Sequence, residues 1–208
     1  MLRNRLRQPQ ARWVLVLLSL VPFAYLCAGV YFDHLGPNPA EYLIRSSGDL
    51  TLRFLCITLL ITPLRVITQW PEWLLFRRSL GLLTFFYACI HALCYSLLDM
   101  SWAWDEIGQD IVKRPFIAVG VAAMLLLTAL AATSFNAAVK AMGAKRWRQL
   151  HRAVYGIAVL AILHFFWMRA TKRNFDEVWL YAGILGVLLG FRLVHLTKRS
   201  LWNVSSGV

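Results

Sequence analysis

Two histidines lie deep in separate apolar stretches, His91 within FFYACIHALCYSLL and His164 within GIAVLAILHFFWM, and a third, His151, opens the second stretch thirteen residues before His164. An ionisable side chain at membrane depth is costly, so it generally faces the interior of a helix bundle and does chemistry there. No metal-chelating carboxylate accompanies these imidazoles. The chemistry they point to is axial ligation of haem iron, which predicts an electron carrier.

The elements that must position them are membrane helices. Of the 208 residues, 59% are hydrophobic and 15% charged, with a mean hydropathy of +0.58. A soluble domain carries more charge and shorter apolar runs. Here the runs approach the ~20 residues that a bilayer-crossing helix needs. The sequence predicts an all-α membrane protein, a bundle of six transmembrane helices at about 13–31, 50–67, 79–98, 116–135, 150–168 and 178–196. Gly36-Pro37-Asn38-Pro39, Trp70-Pro71-Glu72, Asp105 to Pro115, Gly143 to Arg148 and Thr171 to Glu177 break the spans with polar residues and helix stops. No remaining loop is long enough to fold by itself, so residues 1–208 are expected to form a single transmembrane domain. No internal repeat is visible.

The net charge of +12 is distributed in a way that excludes nucleic acid as its explanation. With the N-terminus placed in the cytoplasm, fifteen of the 22 Lys and Arg fall on that side, and nine of the ten acids fall on the other, Glu72 being the exception. This is the positive-inside asymmetry, and it puts both termini in the cytoplasm. The Arg-rich start resembles a signal peptide. Its apolar stretch runs on through Pro22 to Tyr31 without a small-residue cleavage site, so an uncleaved first helix is expected. Cys27, Cys56, Cys89 and Cys94 form no CxxC pair and read as packing residues.

In this topology the third and fifth spans both run outward. His91 lies about 18 Å along its helix and His164 about 21 Å, at 1.5 Å per residue. Two imidazoles at matching depth on parallel helices can clamp one haem. His151 sits about 20 Å back along the axis from His164, a separation that suits a second haem, but thirteen residues before His91 stands Arg78 rather than a histidine. In an ideal helix His151 is also rotated by roughly 140° from His164. For His151, ligation and a plain interfacial role both stay open, as do one haem or two. His34 reads as a solvated loop residue and His195 as an interfacial one. Phe85, Phe86, Tyr87 and Tyr95 near His91, with Phe165, Phe166 and Trp167 beside His164, could wall a porphyrin or simply pack.

The segment Trp147-Arg148-Gln149-Leu150-His151-Arg152-Ala153-Val154-Tyr155 followed by His164 resembles the ferric-reductase-like transmembrane domain shared by NADPH oxidases and STEAP reductases. Together with Ile61-Thr62-Pro63-Leu64, Arg77-Arg78-Ser79-Leu80-Gly81-Leu82, His91, Arg114-Pro115 and Leu130-Ala131-Ala132-Thr133-Ser134, it is similar more narrowly to the MsrQ family. The resemblance implies a b-type haem protein of the bacterial inner membrane. It passes electrons to a periplasmic molybdopterin subunit, MsrP, that reduces methionine sulfoxide in oxidised proteins. It implies the quinone pool or a cytoplasmic flavin reductase as donor, FMN as a further cofactor, and His91, His151 and His164 as haem-iron ligands. Arg77-Arg78 stand where the oxidases have a fourth histidine.

The outer loops Asp99–Arg114 and Arg169–Glu177 are expected to dock the partner, and Lys145, Arg146 and Arg148 to meet FMN or quinone at the inner face. Two other function classes compete: a transporter using the histidines as a proton relay, and a structural membrane anchor. The few acids and amides within the spans argue against the relay.

Overall fold

The computed structural model describes residues 2–170 and 174–205, with side chains for residues 3–170 and 174–195. Among the described residues every regular element is a helix. In chain order the helices are α1 (Leu2–Arg7), α2 (Pro9–Tyr31), α3 (Pro39–Thr68), a 3-10 turn (Pro71–Trp73), α4 (Leu74–Cys94) with a π-helical turn (Tyr95–Asp99), α5 (Trp104–Lys113), α6 (Pro115–Ala132), α7 (Asn136–Met142), α8 (Ala144–Leu150), α9 (Ala153–Ala170) and α10 (Asp176–Ser205). Six segments are long and apolar enough to cross a membrane, and each overlaps one of the six expected spans; the fourth ends at Ala132, three residues short of the expected 135, and the sixth at His195, one short of 196.

The boundaries follow local chemistry. Prolines occupy the first turns of α2, α3 and α6, where a missing N–H costs nothing and φ is already helical. At the start of α3 the Asn38 side chain accepts the Glu41 N–H at 3.1 Å, a cap that starts this helix eleven residues before the expected span at Leu50. Two expected breaks are in fact helical. Asp105 to Pro115 contains α5, amphipathic and tied down by Tyr95 Oη donating to Asp110 at 3.0 Å and by the Arg114–Asp110 ion pair at 3.2 Å. Gly143, at φ 76°, separates α7 from α8, so only this one residue breaks the helical stretch Asn136–Leu150. Residues 171–173 of the fifth expected break lie outside the described residues.

Packing is organised as helix pairs. α3 packs chiefly on α4 and α6 on α9, with α10 lying against α3 and α9. One apolar cluster joins Leu52, Leu55, Leu59, Leu127, Leu130, Val154, Ile157 and Leu185 across these helices, and a second joins Phe54, Leu80, Leu83 and Tyr87. The charges segregate by end. At the basic end, Glu72 is buried and accepts from Arg3 and Arg7 at 2.8 Å each, which explains the one acid found there.

Two prolines inside helices set up the contacts that matter most. Pro63 has no N–H for the carbonyl of Leu59, four residues back. Arg192 of α10, itself only 5% exposed, donates from Nη2 to that oxygen at 2.8 Å. Pro22 disturbs α2 in the same way, and the nearby carbonyl of Ser19 accepts from Tyr87 Oη at 2.5 Å. Tyr87 is fully buried and stacked on Phe54 at 5.0 Å, so it is a strut between helices rather than a wall of a porphyrin site. Tyr87→Phe, which keeps the ring and removes the donor, is expected to cost about 1 kcal/mol. A lowered unfolding midpoint in detergent, without loss of helical content, checks this.

Candidate functional site

His91 on α4 and His164 on α9 face each other. Their ring centroids are 6.2 Å apart and their planes cross at 84°. Two imidazoles sharing one metal need about 2 Å from each nitrogen to the metal, which with the nitrogen-to-centre distance of the ring puts the centroids roughly 6.3 Å apart. At the observed spacing both rings would reach a single metal ion between them.

The protonation of each ring is fixed by its neighbour. His91 Nδ1 lies 2.8 Å from the carbonyl oxygen of Ile44, and His164 Nδ1 lies 2.7 Å from that of Phe116. A carbonyl only accepts, so each Nδ1 carries the hydrogen and donates it. Each Nε2 is left with a free lone pair and no hydrogen-bond partner among the described residues. This is the arrangement that orients a metal-binding histidine and makes it more basic. Among the described residues no three His, Cys, Asp or Glu converge. A bare transition metal would lack further protein ligands here, whereas a porphyrin brings four nitrogens of its own. The residues present fit haem.

Both rings press against a glycine. A Cβ on Gly48 would stand 3.1 Å from His91 Nδ1, and one on Gly120 would stand 2.9 Å from His164 Nδ1. The two halves are built alike. In each, the accepting carbonyl (Ile44 or Phe116) sits one helical turn before the glycine, and the histidine arrives from the partner helix 47 or 48 residues later. The internal repeat missing from the sequence is thus present in the geometry. Phe116 also lies 5.9 Å from the His164 ring, a neighbour that the sequence reading did not single out.

His151 is placed elsewhere, in the two-residue turn between α8 and α9. The helix is broken there, so the 140° misalignment expected of a continuous helix does not apply. Its ring stacks on Trp147 at 4.0 Å, and its Nε2 lies 3.2 Å from Thr133 Oγ1, while Trp147 Nε1 donates to the Thr133 carbonyl at 2.8 Å. It lines a cavity of about 270 Å³ together with Arg77, Arg78 and Arg192. No second histidine lines this cavity. His195 is exposed and stacked on Phe191 at 6.4 Å, and His34 is exposed beside Phe32. Lys145, Arg146 and Arg148 are exposed on α8 and lie outside the cavity wall. Sequence reasoning missed Arg192, although an arginine within an apolar span was a signal that could have found it.

Comparison with known proteins agrees with this architecture. The family described as ferric reductase like transmembrane component matches residues 47–162, a stretch that includes His91 and His151 and stops two residues before His164. A protein of Polaromonas naphthalenivorans named "Protein-methionine-sulfoxide reductase heme-binding subunit MsrQ" is 56% identical over 97% of this chain and 92% of its own length. Proteins with the same name from Herminiimonas arsenicoxydans and Ralstonia nicotianae are 47% and 49% identical, over 93% and 85% of this chain and 89% and 82% of their own lengths. No solved structure matches. The chain belongs to the ferric-reductase-like transmembrane family and, within it, to the MsrQ family.

Proposed function

We propose that this chain is a haem b membrane subunit, a single transmembrane domain over residues 1–208 in the bacterial inner membrane with both termini cytoplasmic. It carries electrons from a quinone or a flavin on the inner side to a periplasmic, MsrP-like molybdopterin methionine-sulfoxide reductase. The observation that carries the reading is the facing pair His91 and His164, 6.2 Å apart, each with its Nδ1 hydrogen given to a backbone carbonyl. The names of the relatives, which join haem binding to a subunit of a methionine-sulfoxide reductase, support a partner enzyme subunit.

Haem bound there supplies one-electron redox chemistry, with a potential set by axial ligation and surrounding polarity. His91 and His164 would hold the iron, Ile44 and Phe116 orient them through their carbonyls, and Gly48 and Gly120 leave room for the rings. His151 is the candidate iron ligand at the basic end. The acidic end, with α5 and the start of α10, is the face for the soluble partner. Methionine sulfoxide on exported proteins is out of reach of cytoplasmic reductants, and its reduction restores the thioether.

The visible spectrum of the detergent-purified protein tests this. A Soret band with sharp α and β bands on reduction is expected, whereas a colourless preparation overturns the proposal and leaves the transporter or anchor. His91→Ala and His164→Ala are each expected to abolish the outer haem, and His151→Ala to spare it. Gly120→Ala, whose methyl pushes on Nδ1 of His164, is expected to weaken haem binding about tenfold while the six-helix bundle persists. Haem titration alongside circular dichroism separates these two outcomes.

A further inference from the structure

The cavity near His151 is electrostatically incomplete. Three guanidinium groups line it, from Arg77, Arg78 and Arg192, and no carboxylate does. Five other arginines of the described residues reach an acid: Arg3 and Arg7 on Glu72, Arg45 on Glu41, Arg114 on Asp110 and Arg169 on Glu177. The three at the cavity reach none among the described residues.

Arg192 is 5% exposed. Its Nη2 donates to the Leu59 carbonyl at 2.8 Å and its Nη1 to Tyr155 Oη at 3.1 Å, and its guanidinium lies 5.3 Å over the Tyr155 ring. Its Nε is buried with no partner. Neutral oxygens satisfy two donors and cancel no charge. Arg77 makes no hydrogen bond among the described residues and stands close enough to Arg192 for their like charges to repel. Arg78 is held outward by Asn136 Oδ1 at 2.8 Å. Burying a cation without a counter-charge is costly, and two together cost more.

We infer that this cavity is an anion site, in which Arg192 and Arg77 clasp a carboxylate or phosphate group belonging to a larger cofactor. Guanidinium groups match both oxyanions with paired donors. At about 270 Å³ the cavity has room for far more than one water-sized group, so the anion arrives attached to something larger, and Leu55, Leu59, Leu127 and Leu130 suit an apolar ring system. The shared chemistry has two sources, the propionate of a haem held by His151 or the phosphate of FMN. The first source rests on the function proposed above, and the second stands without it.

The test is the haem and flavin content of the purified full-length protein, after titration with haem and with FMN, for the unsubstituted chain, Arg77→Gln, Arg192→Lys and Arg192→Gln. Arg77→Gln breaks no hydrogen bond within the protein, so its fold is not at issue. Arg192→Lys keeps the charge and a donor for Leu59. The outer-haem spectrum serves as an internal control. Arg77→Gln and Arg192→Gln are each expected to weaken the inner ligand about tenfold or more, with Arg192→Lys between them and the unsubstituted chain, and the outer spectrum unchanged.

A fall from two haems to one with FMN retention unchanged identifies the propionate, and loss of FMN with haem unchanged identifies the phosphate. The inference is overturned where both glutamine variants retain haem and FMN as the unsubstituted protein does, or where the unsubstituted protein binds FMN not at all and haem only once. Absence of the outer spectrum from the unsubstituted protein counts against the proposed function alone, because FMN binding still reads the anion site.

Discussion

A helix bundle surrounded by lipid has no water with which to settle its polar groups, so each must find a partner within the protein. The rest of this structure depends on how that constraint is met at a few backbone carbonyls. The kink at Pro63 frees the carbonyl of Leu59, and a buried arginine reaches across from α10 to take it. Beside Pro22, the carbonyl of Ser19 takes the hydroxyl of Tyr87. Ile44 and Phe116 lend their oxygens to the two histidines. In every case an oxygen on one helix is paired by a side chain from another, so the bonds that make the interior tolerable also fix which helices are neighbours.

That same economy fixes the tautomer of the two facing histidines. A neutral imidazole has one hydrogen and one lone pair, and whichever nitrogen keeps the hydrogen is decided by what accepts it. By offering only a carbonyl to Nδ1, α3 and α6 leave the lone pair of each ring on Nε2. Gly48 and Gly120 are the steric half of the arrangement, since any side chain there would push against the ring it supports. The site is therefore built by the two helices that carry no histidine there as much as by the two that do.

How far this was legible in the sequence varies with the physics involved. Apolar length and the segregation of charge mark six spans directly, because lipid imposes both on composition. His91 and His164 stand out because histidine is expensive at such depth. Their agreement in depth follows from counting residues along helices of fixed rise. The supporting shell left no such trace. A carbonyl has no residue identity, and the stretches around Gly48 and Gly120 share little beyond the glycine, so a repeat made of backbone and absence of side chain could not be seen.

The α5 helix was read as a break for a related reason: its polar residues suit a loop and an amphipathic surface helix equally. Nor does the sequence show that the chain turns at His151, because Leu150 and Ala153 on either side are both good helix formers.

The two ends of the bundle meet the cost of polarity in the interior by opposite means. Toward the acidic end, the site between α4 and α9 is assembled from neutral groups, two imidazoles whose Nδ1 hydrogens are taken by carbonyls. At the basic end, the cavity beside His151 gathers Arg77, Arg78 and Arg192 with no acid in its lining, while Glu72 is taken by Arg3 and Arg7. Had the fold required only a donor for the Leu59 carbonyl, one amide or hydroxyl on α10 would have met the need without placing a charge in the membrane. An arginine at that point, with Arg77 beside it, makes sense when the interior gains a negative charge by binding something, and then the kink at Pro63 and the binding of that anion are served by one side chain.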